Sequence, residues 1–257
     1  MLSGYTISAV RFIVGILLCL SAIRATEKKI RIINRRDWTL RGVFGAISMI
    51  LSYMAISLTS GGRATLLGNT YPIFVAIFAS LFFGERFSVS SIPSLILCTL
   101  GSAAVLNDGA GYPSIGDALA LLSAVFAGAA LNHLKRARVT ESPFSLYLSP
   151  CLFGLPVSAA LSYKSFVFLP GPLSFAALVG GVVFLAQVLM TWGYKHVPVS
   201  RGSRVFYLET LLAVGMGALI GERLKPAFFL GGVLILSGLA LDAWSGVRLA
   251  KSNRKRS

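Results

Sequence analysis

LFFGERF (residues 81–87) closes one long apolar run, and LIGERL (219–224) closes another, its GER triplet lying 137 positions after the first. The question that decides the fold is whether the surroundings correspond as well. With the triplets in register, Gly101 falls on Gly238, each followed by the small and aliphatic residues of the next helix. Upstream, at an offset of 138 after a one-residue gap, SLTSGGRATLL (57–67) lies over KHVPVSRGSRV (195–205), and Pro72 lies over Thr210. Identity is thin, but the order of features repeats: long helix, tight turn with small residues and Arg, long helix, GER, Gly-containing helix.

Composition sets the solvent of these helices. Of the 257 residues, 55% are hydrophobic and 13% charged, and the mean hydropathy of +0.77 is far above that of a soluble domain. Apolar runs near the ~20 residues that span a bilayer recur at 5–23, 39–58, 62–83, 90–107, 115–134, 143–163, 171–194, 199–220 and 226–246. The reading is an all-α integral membrane protein of about nine transmembrane helices, with connections too short to hold a soluble domain.

A net charge of +15 invites nucleic acid as a partner, but the cations alternate by loop. Of the 24 Lys and Arg, one set of connections holds 19, from Arg24 to Arg41, then Arg86, then Lys135 to Arg138, then Lys195 to Arg204, then the tail from Arg248; the opposite set holds Arg11, Arg63, Lys164, Arg223 and Lys225. The positive-inside rule accounts for this without nucleic acid and makes the first set cytoplasmic, with the C-terminus inside. The first GER then lies on the cytoplasmic side and the second on the outer side, so the halves are inverted, as in many secondary transporters. The first repeat is 1–107, with four helices; the second is 108–247, with five; 248–257 is a basic cytoplasmic tail. The helix at 115–134 has no counterpart in the first half.

On AVRF (9–12), TSGGRATLLGNTYPIFVAIFASLFFGERFS (59–88), GDALALLSAVFAG (116–128) and YLETLLAVGMGALIGERL (207–224), the chain resembles the EamA-type family of the drug/metabolite transporter superfamily. The resemblance covers nearly the whole length. It implies ten helices in two inverted five-helix repeats, cytoplasmic termini, and a central cavity for small organic solutes. The chain departs from that pattern in lacking the first helix and in having Thr210 where the family usually has Pro.

Charges at mid-membrane cost several kcal/mol and usually face a cavity or a partner. Glu209 lies near the middle of 199–220, with Arg204 and Tyr207 within about a turn and a half before it. This carboxylate is expected to bind an amine or to exchange a proton; the alternative is an internal ion pair with Arg. Asn69, Tyr71 and Pro72 occupy the matching depth of the first half, where a proline frees carbonyls that a cavity must shield from lipid. Gln187 and Trp192 on 171–194 and Tyr53 on 39–58 complete the expected cavity wall. Pro150, Gly154 and Pro156 make 143–163 easily bent. Arg11 is expected to snorkel to headgroups, with attraction of anionic solutes as the alternative, Glu85 and Glu222 to make interfacial ion pairs or caps, and Asp108 and Asp117 to be solvated beside an outer loop. Gly217 and Gly221 form a GxxxG pair suited to bundle packing or to a homodimer.

Cys19, Cys98 and Cys151 fall in apolar runs, in odd number and without paired spacing, which argues against a disulfide framework or metal site. There is no GxxxxGK loop, no HExxH and no GxSxG, and no motif that calls for a cofactor. The expected function is therefore a secondary carrier, exporter or exchanger, of a small metabolite or drug-like solute, in the inner (cell) membrane, with coupling to a proton or another cation. The rival class is a degenerate bundle that acts as an assembly partner without transporting.

Overall fold

The computed structural model describes residues 4–26, 32–59, 61–84, 92–106, 114–163, 170–219 and 226–254, and those residues fold as eleven helical segments. They are α1 (Gly4–Ala25), α2 (Arg35–Leu58), α3 (Gly61–Gly68), α4 (Tyr71–Phe83), α5 (Ile92–Leu106), α6 (Ile115–Ala137), α7 (Pro143–Ser162), α8 (Pro170–Gly193), α9 (Val199–Val205), α10 (Tyr207–Leu219) and α11 (Pro226–Arg254). Six stretches are long and apolar enough to cross a bilayer, one of them the Ala64–Phe83 stretch that joins α3 to α4; Ile92–Ala104 and Pro226–Leu241 are shorter apolar stretches. Counting α9–α10 as one further pass, the all-α membrane fold has nine passes among the described residues.

Two of those passes are broken, at corresponding places. In the first half α3 ends at Gly68 and α4 starts at Tyr71. Pro72 lies in the first turn of α4, where its missing N–H leaves no intrahelical bond unmade. In the second half the break falls at Phe206, between α9 and α10, without any proline. The proline at position 72 is thus one way to place a break rather than the requirement for one.

The inversion of the halves is written in helix contacts that admit no side chain. A Cβ on Gly101 of α5 would come within 2.7 Å of the Gly231 carbonyl oxygen and 2.9 Å of the Ile235 nitrogen on α11. A Cβ on Gly238 of α11 would come within 2.9 Å of the Ser94 carbonyl oxygen and 2.7 Å of Cys98 Sγ on α5. Adding 137 to 94, 98 and 101 gives 231, 235 and 238, so this is one contact met from its two sides. The α1–α7 pair repeats the relation. A Cβ on Gly15 would meet Cys151 Sγ at 3.1 Å, and one on Gly154 would meet the Phe12 ring at 2.5 Å, with 12 and 15 mapping to 151 and 154 at an offset of 139. A pseudo-two-fold axis therefore relates α1 to α7 and α5 to α11. Because lipid is as apolar as any side chain, such close approach supplies the packing that the hydrophobic effect supplies in water.

Polar contacts fix the ends. Ser114 and Asp117 form a capping box at the start of α6, and Thr59 Oγ1 lies 3.3 Å from Asp117 Oδ1. Asp117 is thus a buried cap, not a solvated loop residue, because α2 ends against it. At the basic end, Asn34 caps α2 through the Asp37 N–H, and Glu141 Oε1 accepts from the Ile33 and Asn34 N–H groups at 2.6 and 2.9 Å. α6 packs against α2 and α4 and has no counterpart among the described residues. Accordingly α8, the counterpart of α2, leaves Leu178, Val182, Leu185 and Leu189 exposed. α11 continues as helix through Arg254, into the stretch read from sequence as a basic tail. Glu85, Asp108, Gly221 and Glu222 lie outside the described residues.

Gly101→Ala and Gly238→Ala should each lower the melting temperature of the purified protein by a similar amount, corresponding to roughly 1–3 kcal/mol of overpacking. Gly181→Ala, whose Cβ meets nothing within 4 Å, should leave it unchanged or raise it slightly. Thermal unfolding in one detergent checks all three, and equal effects at the three sites would contradict the close-contact account.

Candidate functional site

The two broken helices meet. Asn69 Nδ2, at the first break, donates to Thr210 Oγ1 at 2.9 Å, and Thr210 is the residue that stands over Pro72 in the repeat register. Thr210 is buried and also lies 3.3 Å from Ser102 Oγ on α5. Beside this junction Tyr71 and Phe206, one from each break, stand with ring centroids 6.3 Å apart. A broken backbone inside a bilayer is tolerated where protein or a water-filled cavity satisfies the freed groups. Here both conditions hold.

The junction forms part of the wall of a cavity of about 380 Å³. Its walls come from α1, α2, α3, α6 and α8 and from both breaks. Of the residues predicted from sequence, Tyr53, Asn69, Tyr71, Gln187 and Glu209 all line it. They come from four separate passes, so it is the fold that gathers them. Glu209, on the first turn of α10, has an accessible side chain at the cavity surface.

Three predicted residues are placed elsewhere. Trp192 is 61% exposed, on a face of α8 turned away from the bundle. Tyr207 is buried, but its hydroxyl lies 2.8 Å from Thr99 Oγ1, so the side chain points into the packing with α5 and α11. Arg204 is buried on α9 and does not line the cavity. At about 100° per residue Glu209 lies on the face of a helix opposite to Tyr207 and away from Arg204, so nearness in sequence does not bring the three side chains together.

Two lining residues were read differently from sequence. Arg11 does not snorkel: Nη1 donates to Tyr53 Oη at 2.9 Å and Nη2 approaches Met49 Sδ at 3.6 Å, which holds the guanidinium at the cavity wall. Arg41, counted among the loop cations, is only 4% exposed and lines the cavity from within α2. The signal that would have found it is the cap at Asn34. Asn34 followed three residues later by Asp37 starts the helix at Arg35 and puts Arg41 almost two turns inside.

The cavity has an apolar cluster behind its basic end. Ile56 and Ala64 line it towards the end remote from the basic loops, and Arg41 and Leu131 line it on the basic side. Beyond them Val75, Ala79, Leu131, Leu134, Tyr194 and Val199 pack into a dry cluster in which α4 meets α6 and α9. Asn132 Nδ2 ties α6 to α4 by donating to the Val75 carbonyl at 3.1 Å. Along the wall, Ser123 Oγ donates to the Ser48 carbonyl at 2.8 Å and joins α6 to α2. Hydroxyls, amides, phenols and three charged groups suit a polar organic solute. Among the described residues no three His, Cys, Asp or Glu side chains are grouped to hold a metal ion.

The comparisons agree with this architecture. A solved crystal structure superposes with a TM-score of 0.82 at 18% identity, covering 97% of this chain and 90% of its own, which establishes the likeness of fold. The chain is 27% identical over 203 residues to the pseudopaline exporter CntI of Pseudomonas aeruginosa, covering 77% of this chain and 71% of that protein. A shorter stretch of 50 residues is 46% identical to mouse solute carrier family 35 member G1, covering 20% of this chain and 14% of that one. The EamA-like transporter family matches residues 2–107 and 114–242. Nine passes in two inverted sets, two facing breaks and a polar cavity between them, over a family match that spans almost the whole sequence, place this chain in the EamA-like transporter family of membrane transporters.

Proposed function

We propose that this protein is a secondary-active exporter or exchanger of a small organic metabolite, working by alternating access around the cavity. The observation that carries the reading is a polar cavity bounded by both helix breaks and backed on the basic side by the apolar cluster in which α4 meets α6 and α9. Similarity to an exporter of pseudopaline supports outward transport of a small metabolite. With the basic end in the cytoplasm of a cell membrane, the apolar cluster of α4, α6 and α9 is the inner gate of this scheme. The inward-facing state then requires α4 to part from α9, which separates Val75 and Ala79 from Tyr194 and Val199, while the outer end closes over Ile56 and Ala64. The Asn69–Thr210 bond lies between these movements and is the natural fulcrum.

Glu209 is the coupling group in this scheme. It is the carboxylate of the cavity wall, it sits on the first turn of a broken helix, and its side chain is accessible. A proton taken up there, or a cationic group of the solute, neutralises it before the cavity closes, and the reverse exchange occurs on the other side.

Glu209→Gln should abolish pH-dependent flux in proteoliposomes while leaving the protein folded; flux and pH profile both unchanged would remove Glu209 from the coupling role. A second outcome tests the moving parts. Cysteines at Ala79 and Val199, joined by a short disulfide-containing bifunctional linker, should stop flux, and a reductant should restore it. Undiminished flux in the linked protein would contradict opening between α4 and α9.

A further inference from the structure

The cavity wall carries two guanidinium groups and one carboxylate: Arg11, Arg41 and Glu209. Arg11 is accommodated by Tyr53 and Met49, both neutral. Arg41 is not accommodated at all. It is 4% exposed, its Nε has no hydrogen-bond partner, and among the described residues the guanidinium makes no hydrogen bond or ion pair. The ionisable side chains that act on it are Cys151, Tyr194 and Tyr147, all ordinarily uncharged near pH 7. A buried cation without a counter-ion is among the costliest features a fold can keep.

The backbone makes room for this charge. A Cβ on Gly45, one turn along α2, would come within 2.7 Å of Arg41 Nη1, so the guanidinium lies over a glycine that any larger residue would push aside. On the far side of the cavity, Gln187 Oε1 is a buried acceptor with no partner. The site therefore holds an unmatched cation above the dry plug, with a carboxylate and an amide oxygen elsewhere on its wall. Two cations and one anion leave the lining at plus one, which a solute of net charge minus one neutralises.

We infer that the cavity recognises a small organic solute bearing a carboxylate, which pairs with Arg41 at the basic end of the cavity, and that Arg41 is the residue that selects it. Guanidinium and carboxylate match as a bidentate, charge-assisted pair, the strongest form of such recognition. This assignment rests on the transporter reading of the cavity and names the class of solute that the reading leaves open.

The test uses the full chain in two measurements. Cells producing wild type, Arg41→Met or no protein are grown, and their media are compared by untargeted mass spectrometry, with carbodiimide amidation marking free carboxylates. Solutes that accumulate outside with the wild type should carry a carboxylate, and Arg41→Met should reduce their accumulation by about tenfold or more. Accumulated solutes without a carboxylate, or equal accumulation with Arg41→Met, would overturn the inference. In parallel, purified Arg41→Met without added solute should melt at or above the wild-type temperature, since it removes a charge with no partner. A melting temperature lower by about 5 °C or more would make Arg41 a structural residue and overturn the inference independently. If wild-type and control media are identical, the exporter reading fails and the melting comparison alone decides the place of Arg41.

Discussion

The hydrogen bond from Asn69 to Thr210 joins the two places where the backbone stops being helical inside the bilayer. Hydrocarbon offers nothing to an unpaired N–H or C=O, so a break can persist only where protein or an internal cavity receives it. Two breaks facing each other solve the problem jointly, each lining the cavity that the other requires. The bond also uses the difference between the halves. Where the first half has Pro72, with no donor to offer, the second has Thr210, whose hydroxyl accepts from the first break and reaches Ser102 on α5. The missing proline in the second half is thus part of the junction.

The remaining architecture holds those breaks in register. Gly101 and Gly238 let α5 and α11 touch backbone to backbone, and Gly15 and Gly154 make room for Tyr147, Cys151 and the Phe12 ring between α1 and α7, each pair exchanged by the pseudo-two-fold relation. The apolar cluster between α4, α6 and α9 seals the basic side, and the caps at Asn34 and Ser114 fix where α2 and α6 begin. Small residues at the crossings and polar residues at the centre are what a membrane bundle needs when hydrophobicity no longer tells inside from outside.

Much of this was legible in the sequence. The GER triplets and the Gly101–Gly238 register disclosed the repeat because tight crossings require glycine at fixed distances from a helix end. Tyr53, Asn69, Tyr71, Gln187 and Glu209 were found as polar residues in apolar runs, and the fold brings all five to one cavity. The sequence did not disclose the break at Phe206, which has no proline or glycine to mark it; Tyr207 and Arg204 were misplaced because closeness along a helix does not give side chains a common face. Trp192 was misplaced for another reason: it lies five residues after Gln187 on α8, about 140° round the helix from the cavity face that Gln187 marks. Arg41 was lost to the positive-inside pattern, because it was counted with the loop cations although the helix that begins at Arg35 carries it almost two turns inside.

The central claim is that one cavity is offered alternately to the two sides, with α4 parting from α9. Spin labels at Leu81, 69% exposed at the basic end of α4, and at Val197, 37% exposed in the turn before α9, report that separation directly by pulsed electron–electron distance measurement in lipid. The account predicts two distance populations whose weights move when pH is changed across the titration of a carboxylate. A single narrow population, the same at every pH and in the Glu209→Gln variant, would contradict it.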